Sequence, residues 1–216
     1  MKLGSVPRLT LLLVATLAPR AFAQIGQADI AALLDLHDAE RCAVDPPAAS
    51  MPAMAWNPLL ATVAQSYAND CVYAHNANRT ADYAAVGGSG YVGENIAEGT
   101  TGFYSLLDLA QLWADEKAHW TYQSIANTGG PVTGHYTQMI WADTLTIGCG
   151  AAACPSGYTF LVCDYSPGGN YLGQTPYTAG AGTNDACQAL PEPEQAPAIG
   201  AALLALAALG ARTRRA

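Results

Sequence analysis

The chain has 216 residues, 51% of them hydrophobic and 12% charged, and its 17 acidic against 9 basic residues give a formal net charge of −8. Between positions 24 and 190 there are 15 acids and three bases, a net charge of −12, so the central part is more acidic than the whole chain. Such a surface repels phosphate backbones and anionic lipid, which excludes nucleic acid as an expected partner.

Residues 1–23 have the pattern of a secretory signal peptide. Lys2 and Arg8 precede an apolar run over 9–18, and the tripeptide Ala-Phe-Ala that ends at Ala23 supplies a cleavage site. This largely apolar run of ten residues is too short to cross a bilayer, which disfavours an N-terminal membrane anchor. The sequence therefore predicts a secreted protein, located outside the cell or at its surface.

Residues 24–177 are the expected folded domain, with helices first and strands later. Apolar residues at helical spacing predict a helix over 28–41, a second helix that opens at residues 56–58 and runs to 71, and a third over 103–122. Aromatic and β-branched segments separated by Gly and Pro predict strands at 137–141, 144–149 and 158–165. Residues 87–93 are rich in glycine and predict a loop. This order favours the α+β class, with a sandwich of helices on antiparallel strands.

Residues 178–195 are rich in Gly, Pro and Ala, which predicts a linker, although Cys187 can tie its start to the domain. Residues 196–216 form an apolar stretch that ends in arginines. A helix over the 16 residues 196–211 would be about 24 Å long, short of a ~30 Å hydrocarbon core.

The C-terminal order of Pro191-Glu192-Pro193, an apolar helix and a basic tail resembles the bacterial PEP-CTERM sorting domain. The resemblance implies a partner for the tail, an exosortase-like membrane enzyme that recognises and removes it after transient anchoring. A simple C-terminal membrane tether is the alternative.

Six cysteines fall between positions 24 and 190, an even number that predicts three disulfides in an exported chain. Six cysteines allow 15 pairings, and their spacing does not select one. A C-x2-C pair does not occur, so zinc-finger spacing is absent. The cysteines are Cys42, Cys71, Cys149, Cys154, Cys163 and Cys187.

Several ordered blocks resemble the CAP superfamily, which includes cysteine-rich secretory proteins, insect venom antigen 5 and plant pathogenesis-related proteins. Gly134–Thr144 (GHYTQMIWADT) and Phe160–Tyr171 (FLVCDYSPGGNY) are similar to its two signatures. Asp164 is a departure, because the family usually has Asn, Ser or another uncharged or basic residue there. Shorter blocks also fit the family: Gly93-Glu94-Asn95-Ile96, Trp113-Ala114-Asp115-Glu116, Cys71-Val72-Tyr73-Ala74-His75-Asn76 and His37-x-x-x-Arg41.

The resemblance implies the fold of the domain, a three-layer α-β-α sandwich. It also implies the disulfides Cys71–Cys154 and Cys149–Cys163, which leaves Cys42–Cys187 as the third pair.

The resemblance further implies an open cleft that contains His75, Glu94, Glu116 and His135. Two imidazoles and two carboxylates are donors that suit Zn²⁺ or another divalent cation. We expect His75 and His135 to be metal ligands, and Glu94 and Glu116 to be further ligands or to orient the imidazoles. The four positions are 19, 22 and 19 residues apart, so only the folded chain can assemble the site.

Each cleft residue also has a structural interpretation. Glu94 could cap backbone amides, Glu116 could lie on a solvated helix face, His75 could be a surface residue and His135 a core residue. The spacing of Glu116 and His119 is that of di-metal helix bundles, but these need two such motifs and the chain has one. His37 is expected to support the first helix.

The resemblance implies a non-enzymatic binding domain whose partner is a small lipid-like molecule, a peptide or a cell-surface component. Two other functions remain open: a metal-assisted extracellular hydrolase in which a Glu is the general base, and a structural component of extracellular matrix. The chain has no H-E-x-x-H motif, and Ser89 lacks the G-x-S-x-G context of a nucleophile elbow. The sequence leaves the oligomeric state undetermined.

Overall fold

The computed structural model describes residues 25–126 and 129–190. The predicted signal peptide (1–23) and the predicted tail (196–216) lie outside these residues, and the predicted linker is described as far as residue 190. Within the described ranges, no helix combines the length and the apolar character needed to cross a membrane.

The described residues contain six α-helices, and two of them begin at clear local signals. Asn57 accepts hydrogen bonds from the backbone N–H groups of Leu59 and Leu60, and Pro58 occupies the first helical position. Ser105 and Asp108 form a reciprocal capping box at the start of another helix. The helices are α1 Gln27–Cys42, α2 Pro58–Asn69, α3 Arg79–Ala85, α4 Leu106–Asp115 with a 3₁₀ turn at Glu116–His119, α5 Gly134–Met139 and α6 Asp185–Ala189.

Within the described ranges, six strands form two sheets. They are β1 Ser50–Met51, β2 Ala55–Trp56, β3 Gly93–Thr100, β4 Thr146–Ala153, β5 Tyr158–Ser166 and β6 Thr183–Asn184. The main sheet has the order β2-β4-β5-β3, in which β5 is antiparallel to both neighbours and β2 is parallel to β4. The short strands β1 and β6 pair in parallel as a separate sheet. Strand β3 therefore lies at an edge of the main sheet.

Alternate residues of β5 pack against helices on opposite faces of the main sheet. Leu161 and Tyr165 join a buried cluster with Leu109 of α4. Val162 joins a second cluster with Ala64 of α2. Because side chains alternate along a strand, the sheet is covered on both faces, and the predicted three-layer α-β-α sandwich is confirmed.

The sheet and α2 approach each other closely at two glycines of β4. A Cβ atom at Gly148 would contact the backbone N of Ala61, and one at Gly150 would contact the backbone of Gln65. These glycines let α2 lie against the sheet, because any side chain would push the helix away.

Three disulfides form: the two that the resemblance implied, and the third between the two cysteines that remained. Cys42–Cys187 connects α1 to α6, and Cys71–Cys154 connects the end of α2 to the end of β4. Cys149–Cys163 links the paired strands β4 and β5.

Two predictions of secondary structure require correction. Residues 137–141 were expected to form a strand, but residues 134–139 are helix α5. A short apolar run does not distinguish a buried strand from a buried helix. The helix expected over 103–122 is shorter, because α4 ends at Asp115 and a 3₁₀ turn follows.

Other segments agree with or add to the predicted elements. The strands expected at 144–149 and 158–165 are confirmed as β4 and β5. Helix α3 and strand β3 had no counterpart among the predicted elements. The described part of the predicted linker contains β6 and α6, which the disulfide at Cys187 attaches to α1.

Candidate functional site

His75 and Glu94 form the first of two histidine–carboxylate pairs. Nδ1 of His75 lies 2.7 Å from Oε1 of Glu94, and the backbone N–H of Asn76 donates to the same oxygen at 2.9 Å. Because a carboxylate only accepts hydrogen bonds, Nδ1 carries a proton, and in the neutral ring Nε2 would keep a free lone pair. The Glu94 side chain is 1% exposed and that of His75 is 57% exposed, so a buried carboxylate orients an accessible imidazole.

His135 and Glu116 form the second pair, with Nδ1 of His135 2.6 Å from Oε1 of Glu116. Oε2 of Glu116 accepts from the backbone N–H groups of His135 and Tyr136 at 3.0 and 3.1 Å. The preceding residue Thr133 makes no side-chain cap for α5. Glu116 therefore orients the imidazole and also caps the helix that carries it, with its negative charge at the positive end of the helix.

The two histidine–carboxylate pairs lie next to the first residues of strand β3. Glu94 and the next residue, Asn95, point to opposite faces of the sheet. The Asn95 side-chain amide donates to the backbone carbonyl of His135 at 3.0 Å and to the hydroxyl of Tyr165 at 3.1 Å. The structure thus brings the four predicted residues together as two pairs at one end of an edge strand, one pair on each side of it.

The second pair is also fixed by Trp113 of α4. The rings of Trp113 and His135 are stacked with centroids 6.3 Å apart, and the indole N–H donates to the carbonyl of Ile96 on β3 at 3.0 Å. The imidazole of His135 is therefore held between a helix and the sheet, and its side chain is only 24% exposed.

The donor set can be compared with the needs of a metal ion. Across residues 25–126 and 129–190, no three His, Cys, Asp or Glu side chains are grouped closely enough to hold a cation by themselves. Two imidazoles with free Nε2 atoms nevertheless suit Zn²⁺, whose histidine ligands usually donate the other ring N–H to a carboxylate. The donor types of the two pairs thus suit a divalent cation.

The other two histidines lie outside the pairs. His37 is fully buried, where its Nδ1 is 2.7 Å from the carbonyl of Leu33 and its Nε2 is 2.9 Å from the hydroxyl of Tyr165. Burial lowers the pKa of His37 to about 4, so the ring is neutral. This agrees with the expected supporting role in the first helix. His119 is exposed in the 3₁₀ turn.

A cavity of about 380 Å³ begins beside the second pair, at the start of α5. Its wall combines apolar side chains with a few polar groups, among them Ile125, Val132, Leu172, Thr133, Thr137 and Asn170. This volume and this mixture are within the range of small-molecule sites.

Two polar residues of the site region were not among the predicted site residues. Asn95, which connects β3 to His135, stands in the same Gly-Glu-Asn-Ile block as Glu94, and that block was its only signal. Asp164 lies opposite Glu94 in the sheet and is buried. The sequence marked Asp164 only as a departure from the family pattern and did not indicate its burial.

Comparison with known proteins identifies the family of the chain. Residues 34–165 match the profile of CAP, the cysteine-rich secretory protein family, and the chain belongs to this family. Export, as predicted from residues 1–23, is typical of its relatives.

Curated relatives include peptidase inhibitor R3HDML of Mus musculus (35% identity over 173 residues, 72% of this chain and 65% of that protein). GLIPR1-like protein 1 of Mus musculus is 34% identical over 191 residues, which cover 83% of this chain and 80% of the relative. Pathogenesis-related protein 1A of Nicotiana tabacum is 33% identical over 78% of this chain and 90% of its own. The chain spans slightly less than two thirds of the R3HDML protein.

Solved structures share the fold. NaASP2, determined with Zn²⁺, has 27% sequence identity and a TM-score of 0.63, covering 75% of this chain and 90% of that chain. Na-ASP-1 has 26% identity and a TM-score of 0.61 over 76% of this chain and 47% of its own.

Proposed function

We propose that this protein is a secreted, non-enzymatic binding protein that holds a divalent cation such as Zn²⁺ at Nε2 of His75 and of His135. The observation that carries the proposal is that both imidazoles have Nδ1 bound to a carboxylate, at 2.7 and 2.6 Å. In this arrangement Glu94 and Glu116 orient the imidazoles and make them better donors.

Backbone hydrogen bonds support this role of the carboxylates. Glu94 is fixed by the N–H of Asn76, and Glu116 by the N–H groups of His135 and Tyr136. Neither carboxylate can swing away without breaking these bonds, so both rings are oriented before a cation arrives. The net charge of −12 between positions 24 and 190 also raises the local concentration of cations. A relative, NaASP2, has been determined with Zn²⁺.

The ligand of the proposed site is a small lipid-like molecule or a peptide segment, bound in the cavity at the start of α5. Gly134 lines this cavity and precedes His135, so a ligand there can reach a cation held by the second pair. Val132 and Leu172, which are 66% and 65% exposed, offer apolar contacts at its rim. A cell-surface component that carries a lipid-like or peptide group would bind in the same cavity.

A binding role is favoured over catalysis because Glu94 and Glu116 are each already bound to a histidine and to backbone N–H groups, and because the cysteines are unavailable as nucleophiles. All six form disulfides. The proposed cation would supply charge and open coordination positions for the ligand, and the chain's own residues would hold and orient it.

Zinc titration of the secreted protein by calorimetry tests the proposal. We expect one binding event per chain that weakens at least tenfold in His75→Ala and in His135→Ala, and disappears in the double variant. His119→Ala is the matched control, because His119 is exposed and belongs to neither pair. Far-ultraviolet circular dichroism checks that each variant is folded.

Equal zinc affinity in the double variant and the wild type would overturn the proposal. Loss of affinity in His119→Ala, with both pairs intact, would place the cation elsewhere. A ligand screen with zinc-loaded protein then identifies the occupant of the cavity, because a true ligand loses affinity when zinc is removed.

We also propose that the C-terminal segment is a removable sorting signal processed by an exosortase-like enzyme. Its support is the order of Pro-Glu-Pro, apolar stretch and arginines between residues 191 and 215. Mass spectrometry of the cell-surface or secreted protein tests this, because an intact chain that ends at Ala216 would exclude processing.

A further inference from the structure

Strand β2 covers only the first part of the outer edge of β4. It has two residues, the second of which pairs with Ile147, whereas β4 continues to Ala153. The N–H of Asn57 donates to the carbonyl of Ile147 at 2.8 Å, so the odd-numbered residues of β4 turn their backbone groups away from β5. The N–H and C=O groups of Cys149, Ala151 and Ala153 therefore face outwards, beyond the end of β2.

The uncovered part of this edge, residues 148–153, lacks the sequence features that usually keep a strand from pairing with another chain. Its sequence is Gly-Cys-Gly-Ala-Ala-Ala, without a charged side chain or a proline. Its register with β5 is unbroken up to Ala153, so it has no bulge. Charges, prolines and bulges are the common protections of an edge, because a row of free N–H and C=O groups is a template for a further strand. The protection of β4 must come from another part of the chain.

The side chain of Gln65 on α2 occupies this edge. Its Oε1 accepts from the N–H of Ala151 at 3.2 Å, and its Nε2 donates to the carbonyl of the same residue at 2.9 Å. Nε2 also donates to Oδ1 of Asn69, one turn further along α2, at 2.9 Å. A primary amide offers the same donor and acceptor as a peptide group. Gln65 thus makes the two hydrogen bonds that a neighbouring strand would make with Ala151.

The packing of α2 explains how this side chain reaches the edge. A Cβ atom at Gly150 would overlap the backbone of Gln65, so the helix lies directly on β4 at this point. A cavity of about 540 Å³ lies at the same edge, between Ile30 of α1 and the side of α2, and Cys149 and Gln65 are part of its wall. Space for a further backbone is therefore present beside β4, and the Gln65 amide stands in it.

A second copy of the chain has the complementary edge, because β4 can pair with itself around a two-fold axis. In an antiparallel arrangement, Ala151 of one copy would face Ala151 of the other, and Cys149 of each would face Ala153 of the other. Opposite residues at such positions exchange two hydrogen bonds, so this pairing would form about six. An interface of this kind is self-complementary and closes as a dimer. Its centre is the position that Gln65 holds.

We propose that Gln65 is an edge-blocking residue, which keeps two copies of the chain from pairing through β4. The amide is part of the same chain as the edge, so its effective concentration is far above that of a second copy. Asn69 holds the amide in the orientation that matches Ala151. A second copy would have to displace both hydrogen bonds of Gln65 before its own strand could approach.

Light scattering coupled to size-exclusion chromatography tests the proposal. Gln65→Met keeps the length of the side chain but removes its hydrogen bonds, and we expect its mass to double as the protein concentration rises, while the wild type keeps the mass of one chain. Gln111→Met is the matched control, because Gln111 bonds to Asp115 one turn along α4 at 2.9 Å and touches no strand. A Gln65→Met protein that keeps the mass of one chain at every concentration would overturn the proposal, as would equal association of the wild type.

A rescue variant shows whether the new contact is made by β4. Ala153 is exposed at the end of the edge, and a lysine there should block strand pairing without touching Gln65. We expect Ala153→Lys to return Gln65→Met to the mass of one chain. A double variant that still associates would exclude β4 as the contact surface and contradict the proposal.

Hydrogen exchange of the wild type followed by nuclear magnetic resonance tests the block without any variant. The amide of Ala151 should exchange slowly, because Gln65 accepts from it. Exchange at the rate of an unprotected amide would refute the contact. If Gln65→Met does not fold, Gln65→Asn replaces it, because an amide one methylene shorter cannot reach Ala151 and the same association is expected.

Discussion

The contact between Glu116 and the start of α5 allows the loss of stability in Glu116 variants to be predicted. Glu116 accepts three hydrogen bonds, one from Nδ1 of His135 and two from the backbone N–H groups of His135 and Tyr136. Loss of a helix cap costs about 1 kcal/mol, and a hydrogen bond to a charged group contributes about 1.5–3 kcal/mol. The side chain is 14% exposed, so water replaces part of the loss.

We therefore expect Glu116→Ala to lower the free energy of unfolding by about 3 kcal/mol. Glu116→Gln should cost about 1–2 kcal/mol, because its amide keeps one acceptor oxygen but turns an NH₂ group towards a donor. Zinc affinity should fall about tenfold in both variants, because His135 loses the carboxylate that orients it.

Guanidinium denaturation followed by tryptophan fluorescence gives the free energies, and calorimetry gives the zinc affinities. Asp115→Asn is the matched control, since Asp115 is the adjacent acid, is exposed, and accepts only from Gln111. Its effect on stability should stay within about 0.5 kcal/mol. If Glu116→Ala matched this control, the carboxylate would not hold α5, and the cap derived from the structure would be wrong.

Two further predictions concern the core. The pKa of His37 is lowered from 6.5 to about 4. The contribution of neutral His37 to the free energy of unfolding is therefore complete above pH 6.5 and is lost as the pH falls towards 4. We expect this loss to be about 3 kcal/mol over that pH window. In urea denaturation, His37→Gln should lose less stability than the wild type between pH 7 and 4. Parallel curves of unfolding free energy against pH for the two proteins would refute this. Gly148→Ala should destabilise by about 1–3 kcal/mol, because its methyl group would overlap the backbone of Ala61. An unchanged melting temperature would show that α2 can shift without cost.

The local sequence was sufficient for the elements whose signals are local. Helices α1 and α2 and strands β4 and β5 were predicted near their observed bounds, because apolar spacing and start signals such as Asn57-Pro58 lie within each segment. Strand β3 was missed because its first five residues are all buried, so it lacks the alternation of a half-buried strand.

The candidate site was likewise predictable from the sequence only in part. The four residues came from short motifs, since a His or Glu in a specific block is visible in sequence. Their grouping into His75–Glu94 and His135–Glu116 depends on contacts between residues 19 positions apart in each case. No local pattern encodes such a distance.

Sequence by itself thus determined the family blocks, the acidic charge and the residue types of the site, and it predicted an export signal. Tertiary structure decided what each group touches. It made residues 134–139 a helix, because Glu116 from another element caps their N–H groups. It also placed Asp164 against Glu94, because β5 pairs with β3 in that register. The physical reason is that capping, burial and carboxyl proximity are properties of surroundings that form only when distant segments meet.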